Sequence, residues 1–378
     1  MTVRLRITLA GLFIALGLFP SSKPVSTSVS TYGLTSVNIP VSRALMAGGV
    51  TAMQQIVISA PANTAISLVD PVVGGLVFDA SPRTSIGGPV ASSGPGSLMY
   101  LNLANRRFRQ LNAPRGDWAV DAVTTSGSWV MWVETSASPA SSCADPSFGC
   151  YLWRLYAENL VTSSPRRTLL GQTTQPVPRR GVPEQATLTA DQACWTTSAD
   201  NTTWSVWTST LGRSGVKRTA STASWLRTCQ KVGDATYAIN WRYADGTGDL
   251  VRFINGVRVT VWRNVSQMSF ATGDALLDIR SNTSPTPNSQ VVLLKLASRR
   301  ASTLTQPDDT YGFGRVGVSH FWVNAPYGLE SLTSRGVGTT LADASVALVD
   351  PQSNGRQLDY LIARPNGAVV RLFTFGRG

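Results

Sequence analysis

One histidine, His320, stands in a chain of 378 residues, and it lies inside an apolar run beside Phe321 and Trp322. Any histidine-based triad would need that residue, and its setting is that of a structural one. Lysine is nearly as scarce: Lys23, Lys217, Lys231 and Lys295 are the whole complement, although Lys and Arg together number 33. Charged residues are only 14% of the chain, and no segment carries a long Leu/Ala/Glu/Lys stripe at helical spacing. Four cysteines without a Cys-x-x-Cys pair, and with one histidine in the chain, give zinc no ligand set. No Gly-x-Ser-x-Gly elbow, Walker loop or metal-spaced cluster occurs. Neither metal nor cofactor is expected.

What the chain has instead is repetition. Residues 118–134, 185–199, 226–241, 268–281 and 316–324 each alternate apolar residues around a turn such as Ser126-Gly127, Ala190-Asp191, Gly233-Asp234 or Gly273-Asp274. A hairpin then closes each unit: 98–111, 151–170, 205–219, 249–262, 290–304, 328–341 and 360–372. Asn255-Gly256 and Asn366-Gly367 are type I′ turn signals within two of them. Self-similarity at about 40–50 residues, with four short strands per unit, predicts an all-β fold. The expected architecture is a β-propeller of seven blades, each of four antiparallel strands; six or eight stay open because the units differ in length. Eleven tryptophans and a mean hydropathy of +0.02 suit such an ordered chain. Unit one begins with strands over 64–70 and 75–80, and unit seven with 343–350. The segment 31–63 precedes the propeller of 64–378, and its apolar part at 55–59 reads as a strand that closes the ring by completing the last blade.

Arg4 and Arg6 precede an apolar run over 7–19, followed by a polar stretch. Residues 1–30 are therefore expected to be a signal peptide, with an uncleaved membrane anchor as the alternative. Either way the body is secreted or extracytoplasmic. Four cysteines agree: Cys143 and Cys150 bracket a short loop, and a Cys194–Cys229 bond would staple adjacent blades. Taking Arg4, Arg6 and Lys23 from the net charge of +12 leaves +9. A basic exported protein meets anionic envelope polymers or lipid head groups, so a membrane surface is a further partner to consider.

The pattern Leu-Tyr-x-x-x-Leu followed by Arg-Arg-x-Leu, seen at 151–170 and echoed at 189–195 with 217–219, resembles the repeats of TolB-type bacterial propellers over about residues 64–375. That family's Ser-Pro-Asp-Gly turn is absent from every unit. The resemblance implies an exported propeller scaffold whose business is binding.

Propeller topology sorts the loops onto two faces. The long, irregular ones, over 81–97, 135–150, 243–248, 282–289 and 351–357, share a face with the inter-blade stretch 171–184. From them Asp145, Arg179, Arg180 and Asp245 are the expected ligand-binding residues, set around the Cys143–Cys150 loop. The bland alternative is drift in surface loops. On the opposite face four hairpins repeat a basic pair: Arg106-Arg107, Arg166-Arg167, Lys217-Arg218 and Arg299-Arg300. Such a rim would grip phosphate-bearing lipid or wall polymer, unless those turns merely need solvated residues. Trp129, Trp132, Trp195, Trp241 and Trp322 fall at second-strand positions and read as inter-blade packing. Nucleic acid is not an expected partner, because export and strand-bound aromatics argue against it.

The expectation is thus an exported, non-catalytic, monomeric propeller that binds a protein or an anionic envelope or glycan partner. The alternative is a carbohydrate-active enzyme with paired carboxylates at the channel mouth, drawn from Asp70, Asp117, Asp121, Asp191, Asp234, Asp274, Asp278 and Asp343.

Overall fold

The computed structural model describes residues 33–40, 50–62, 64–82, 96–112, 117–145, 147, 149–162, 166–213, 215–242, 246–271, 274–281, 288–303, 310–316, 319–324, 328–333, 338–342, 349–353, 357–364 and 367–375. The predicted signal at 1–30 lies outside them.

Among the described residues, twenty-nine strands are arranged as antiparallel meanders. Two come first, β1 (Thr35–Pro40) and β2 (Val50–Ser59). A four-stranded sheet follows: β3 (Thr64–Val72), β4 (Gly75–Pro82), β5 (Ser97–Asn102) and β6 (Arg107–Gln110). The next holds β7 (Ala119–Ser126), β8 (Trp129–Ser138), β9 (Cys150–Asn159) and β10 (Thr168–Gln172), with the short β11 (Val177–Pro178) also paired to β9. Then come β12 (Thr187–Thr189), β13 (Gln192–Ser198), β14 (Trp204–Thr210) and β15 (Val216–Thr222).

A seven-stranded sheet runs β16 (Leu226–Val232), β17 (Ala235–Arg242), β18 (Thr247–Ile254), β19 (Val257–Ala271), β20 (Asp274–Ser281), β21 (Asn288–Lys295) and β22 (Arg300–Thr303). Its middle strand is the fourth of one meander and the first of the next. The last sheets are β23 (Thr310–Val316), β24 (Ser319–Asn324), β25 (Gly328–Thr333) and β26 (Gly338–Ala342), and then β27 (Val349–Ser353), β28 (Gln357–Arg364) and β29 (Gly367–Phe375). Strand β2 pairs with β29 from Val50↔Phe375 to Ser59↔Gly367, and β1 covers the far side of β2.

First strands of successive units lie side by side, β3 on β7, then β12, β16, β19, β23 and β27, which returns to β3. That closed order of radial meanders is a β-propeller. Position along the radius sets composition. Strand β4, second from the axis and covered on both faces, is buried from Gly75 to Ser81. Outermost β22 is exposed throughout. A charge costs little on the outer strand and much on the inner ones, so Arg and Lys collect outside.

The cores lie between units, not within them. Ile56, Ile58, Val370 and Leu372 pack on Ile66, Phe78 and Met99 of the neighbouring sheet. Trp153 and Leu155 likewise meet Ala193 and Trp195. Polar bonds cross other seams between units: Thr125 Oγ1 donates to the Pro71 carbonyl (2.6 Å) and Thr187 Oγ1 to the Cys229 carbonyl (2.7 Å). Cys194–Cys229 is disulfide-bonded across one seam, and Cys143–Cys150 closes its own loop. Two disulfides mark an oxidising, extracytoplasmic compartment. Among the described residues no helix is long and apolar enough to cross a membrane.

Strand boundaries in the last unit differ from expectation. The first strand of the last unit runs over Val349–Ser353, where a loop from 351 was predicted. Pro351 is tolerated there because β27 is the inner edge of its sheet and needs no ladder donor at that point. Pro71, on inner strand β3, obeys the same rule.

Candidate functional site

The N-terminal ends of the inner strands and the connections between second and third strands share one face. Ladder β8–β9 extends to Ser138↔Cys150, so the disulfide sits where the two strands part. The predicted loop therefore starts later than residue 135. Within it Asp145 Oδ1 accepts from the Ser147 amide (3.2 Å), and Oδ2 accepts from Asn201 Nδ2 (2.8 Å) of the next unit's β13–β14 turn. Bonds from Ser147 first, then from Asn201, hold the Asp145 carboxyl below its ordinary range.

The turn that presents Asn201 is itself knotted by Asp200. Its carboxylate accepts from Thr202 Oγ1 (2.6 Å) and from the amides of Thr202 (2.9 Å) and Thr203 (3.0 Å). Those bonds, the Thr202 hydroxyl first, pull Asp200 down to about 2. An Asp-Asn-Thr-Thr run favours this side-chain turn, which leaves Asn201 at φ 60°.

Arg179 and Arg180 occupy a single 3-10 turn, Arg179–Gly181, entered from β11. Pro178 pairs with Cys150, and the Arg179 amide donates to the Gly149 carbonyl (3.1 Å), so this turn abuts the disulfide. The Arg179 side chain bonds Asp121 Oδ1 (2.9 Å) and Glu184 Oε1, and lies 4.8 Å above the Tyr151 ring. Burial opposes its charge, and the two acids outweigh that opposition, so its pKa is raised. Arg179 is thus a clamp joining three parts of the face. Arg180 lies 4.9 Å over the Trp225 ring and adds a smaller pull on Asp145. The structure brings Asp145, Arg179 and Arg180 to one region; Asp245 lies outside the described residues.

Further around the mouth, Arg227 on β16 stacks 4.1 Å over Trp241, and Trp241 meets Trp225 edge-on at 6.2 Å. Sequence reading passed over Arg227, Gln185, Arg280 and Asp200. A charged residue between Leu226 and Thr228 on an otherwise buried strand was the available signal.

On the opposite face all eight members of the basic pairs are exposed. Arg106 and Arg299 take the same left-handed turn conformation, φ 57° and 55°, at the start of outermost strands. Charge there blunts an unpaired sheet edge, a structural role that exists whether or not a ligand binds. Trp132 and Trp195 are wholly buried, and Trp129 and Trp241 partly so, as inter-unit packing. The Trp322 side chain lies outside the described residues, as does that of His320. Asp121 is engaged by Arg179, Asp117 accepts from Ser136 Oγ (2.7 Å), and buried Asp278 accepts from Ser266 Oγ. No group of three metal-ligating side chains occurs among the described residues.

No family model matches the chain, and no curated protein does. Among solved structures it is similar to a prolyl endopeptidase, at 10% identity over 80% of this chain and 47% of that one, with a TM-score of 0.51. It is also similar to the β-propeller domain of the Trilobed protease from Pyrococcus furiosus (10% identity, 65% and 77% covered, TM-score 0.43). A third is BamB from Moraxella catarrhalis (14% identity, 90% and 100% covered, TM-score 0.42). The chain spans less than half the length of the prolyl endopeptidase. Identities this low speak for nothing beyond the fold.

Proposed function

We propose that this chain is an exported, non-catalytic propeller of seven blades, counted with β19 shared by two of them, that binds a partner through its loop-bearing face. The partner is a protein or an anionic envelope polymer. One observation carries the reading: Asp145 of the disulfide-closed loop is bonded to Asn201 of the neighbouring unit. That contact fixes two loops of different units into one surface before any ligand arrives, which lowers the ordering cost of binding. Arg179 and Arg180 border that surface, and Asp245 is proposed as a further ligand-binding group.

Residues 1–30 serve export in this reading, either as a cleaved signal or as an anchor, and the exposed pairs from Arg106-Arg107 to Arg299-Arg300 offer a second contact to anionic lipid or wall polymer. The TolB-type character of the repeats fits the same role, with the disc acting as a monomer. A glycosidase is the poorer reading. Asp117, Asp121 and Asp278 are each held by a structural partner rather than facing one another across a cleft.

The test is affinity capture from envelope extracts on three immobilised proteins: the parent, a variant in which residues 143–150 are replaced by a Gly/Ser loop, and a variant with the four basic pairs made serine. Partners retained by the parent and lost only from the loop variant support the proposal. An unchanged set on the loop variant refutes it.

A further inference from the structure

Two arginines, Arg227 of β16 and Arg280 of β20, come from the two meanders that share β19 and lie close enough for their charges to repel. Arg227 Nε is taken up by the Gln185 amide, which in the orientation that satisfies both groups accepts at 2.9 Å and donates to the Arg227 carbonyl at 3.3 Å. One face of the guanidinium lies on Trp241. Its two terminal nitrogens have no ion pair among the described residues. Arg280 reaches Asp278 only at 3.7 Å, through Nε, and that carboxylate also accepts from Ser266. Its Nη1 lies 4.0 Å from where a side chain on Gly246 would begin. Glu184, the nearest acid to act on Arg227, is bonded to Arg179.

We propose that Arg227 and Arg280 form an anion site at this mouth, and that its ligand is the carboxylate of an aspartate or glutamate side chain from a protein partner. The inference rests on the binding role proposed above and names the chemistry of the partner. A forked donor held by stacking and by an amide, with a second guanidinium near it, is built for a planar, bidentate acceptor. Burial, and then repulsion from Arg280, bring the Arg227 pKa down to about 10. A bound anion would relieve that repulsion, and Arg227 is still cationic at neutral pH.

A uronic-acid glycan is the competing source of a carboxylate. It would need an aromatic face to stack on, and those faces are occupied. Trp241 carries Arg227 and the edge of Trp225, while Trp225 carries Arg180 and, tilted at 6.1 Å, Trp204. The tryptophans here position guanidinium groups.

Fluorescence anisotropy on the full chain tests this, with labelled hexaglutamate and labelled trigalacturonate as probes at low salt. Hexaglutamate should bind the parent and lose at least tenfold in affinity in R227M and in R280M. A variant with exposed Arg213 of the β14–β15 turn changed to serine should stay within twofold. Should R227M fail to fold by near-ultraviolet circular dichroism, R227K keeps the charge without the fork and should still lose at least threefold. Equal hexaglutamate affinity in the parent and the arginine variants overturns the site, and tighter binding of trigalacturonate overturns the peptide ligand. Envelope capture that needs the 143–150 loop but not Arg227 would leave the proposed function standing and remove this inference. Hexaglutamate binding that needs Arg227, with capture indifferent to the loop, would do the reverse.

Discussion

Gln230 pairs with the backbone of Phe270 as if it were a strand residue: its Oε1 accepts from the Phe270 amide at 3.2 Å and its Nε2 donates to the Phe270 carbonyl at 3.4 Å. The same Nε2 donates to Thr189 Oγ1 at 2.7 Å. One buried side chain on β16 therefore links β12 on one side to β19 on the other. Inner strands offer each other no continuous ladder, and this amide supplies a local one.

Removing that amide should be costly. Gln230→Ala strands a buried N–H and C=O together, at about 1–3 kcal/mol for each unsatisfied group, so about 3 kcal/mol of stability is expected to go. Denaturant unfolding of the parent and variant measures it. A loss under about 0.5 kcal/mol, the level of an ordinary surface change, would show that water replaces the amide.

The two disulfides should contribute unequally. Loop-closure entropy gives about 4 kcal/mol for the Cys194–Cys229 bond and about 2 kcal/mol for Cys143–Cys150, whose sequence separations are 35 and 7. Replacing each pair by alanines and comparing midpoints in urea checks the order. The reverse order would mean that the staple between units adds little to contacts already made there.

Acid should reach the paired loops late. Asp200 has a folded-state value of about 2, below that of an unfolded aspartate. Its stabilisation is therefore fully present above about pH 4 and is lost as pH falls through about 2. Asp145, lowered in the same direction, follows the same sign. Amide signals of Thr202 and Thr203 should hold their positions at pH 5 and move only toward pH 2. Movement between pH 5 and 4 would contradict the bonds assigned to Asp200.

Glu134 has the opposite sign. It is buried beside Trp132, whose Nε1 donates to it at 3.1 Å, and burial raises its pKa. Stability from this group is present at low pH and declines as pH rises through the folded value. Glu134→Gln keeps an acceptor for Trp132 and cannot ionise, so at pH 7 the variant should be at least as stable as the parent, by thermal unfolding. Marked destabilisation at pH 7 alone would show that the ionised form is wanted, through Arg167 and Arg154.

The repeat was legible because radial position is written into composition. Apolar second strands such as β8 and β13, and basic starts to outer strands such as β15 and β22, declare themselves without any coordinate. The Cys194–Cys229 bond followed from the same alignment. The mouth was not legible, since Gln185, Arg227 and Arg280 come from different units and acquire meaning only when the ring closes. Arg179 was singled out as a binding group, yet Asp121 and Glu184, distant or unremarked in the chain, turn it into a clamp. Side chains bonded across a seam carry no local periodicity, and reading along the sequence cannot pair them.

Strand β2 is made long before the strand it zips onto, β29. Until the last residues have arrived, its hydrogen-bonding edge is a docking template in search of any extended segment, including β2 of another chain. Assembly of this wheel is thus vulnerable to strand exchange between molecules at the moment of closing. Crowded synthesis would favour linked pairs, and slow synthesis would favour single rings.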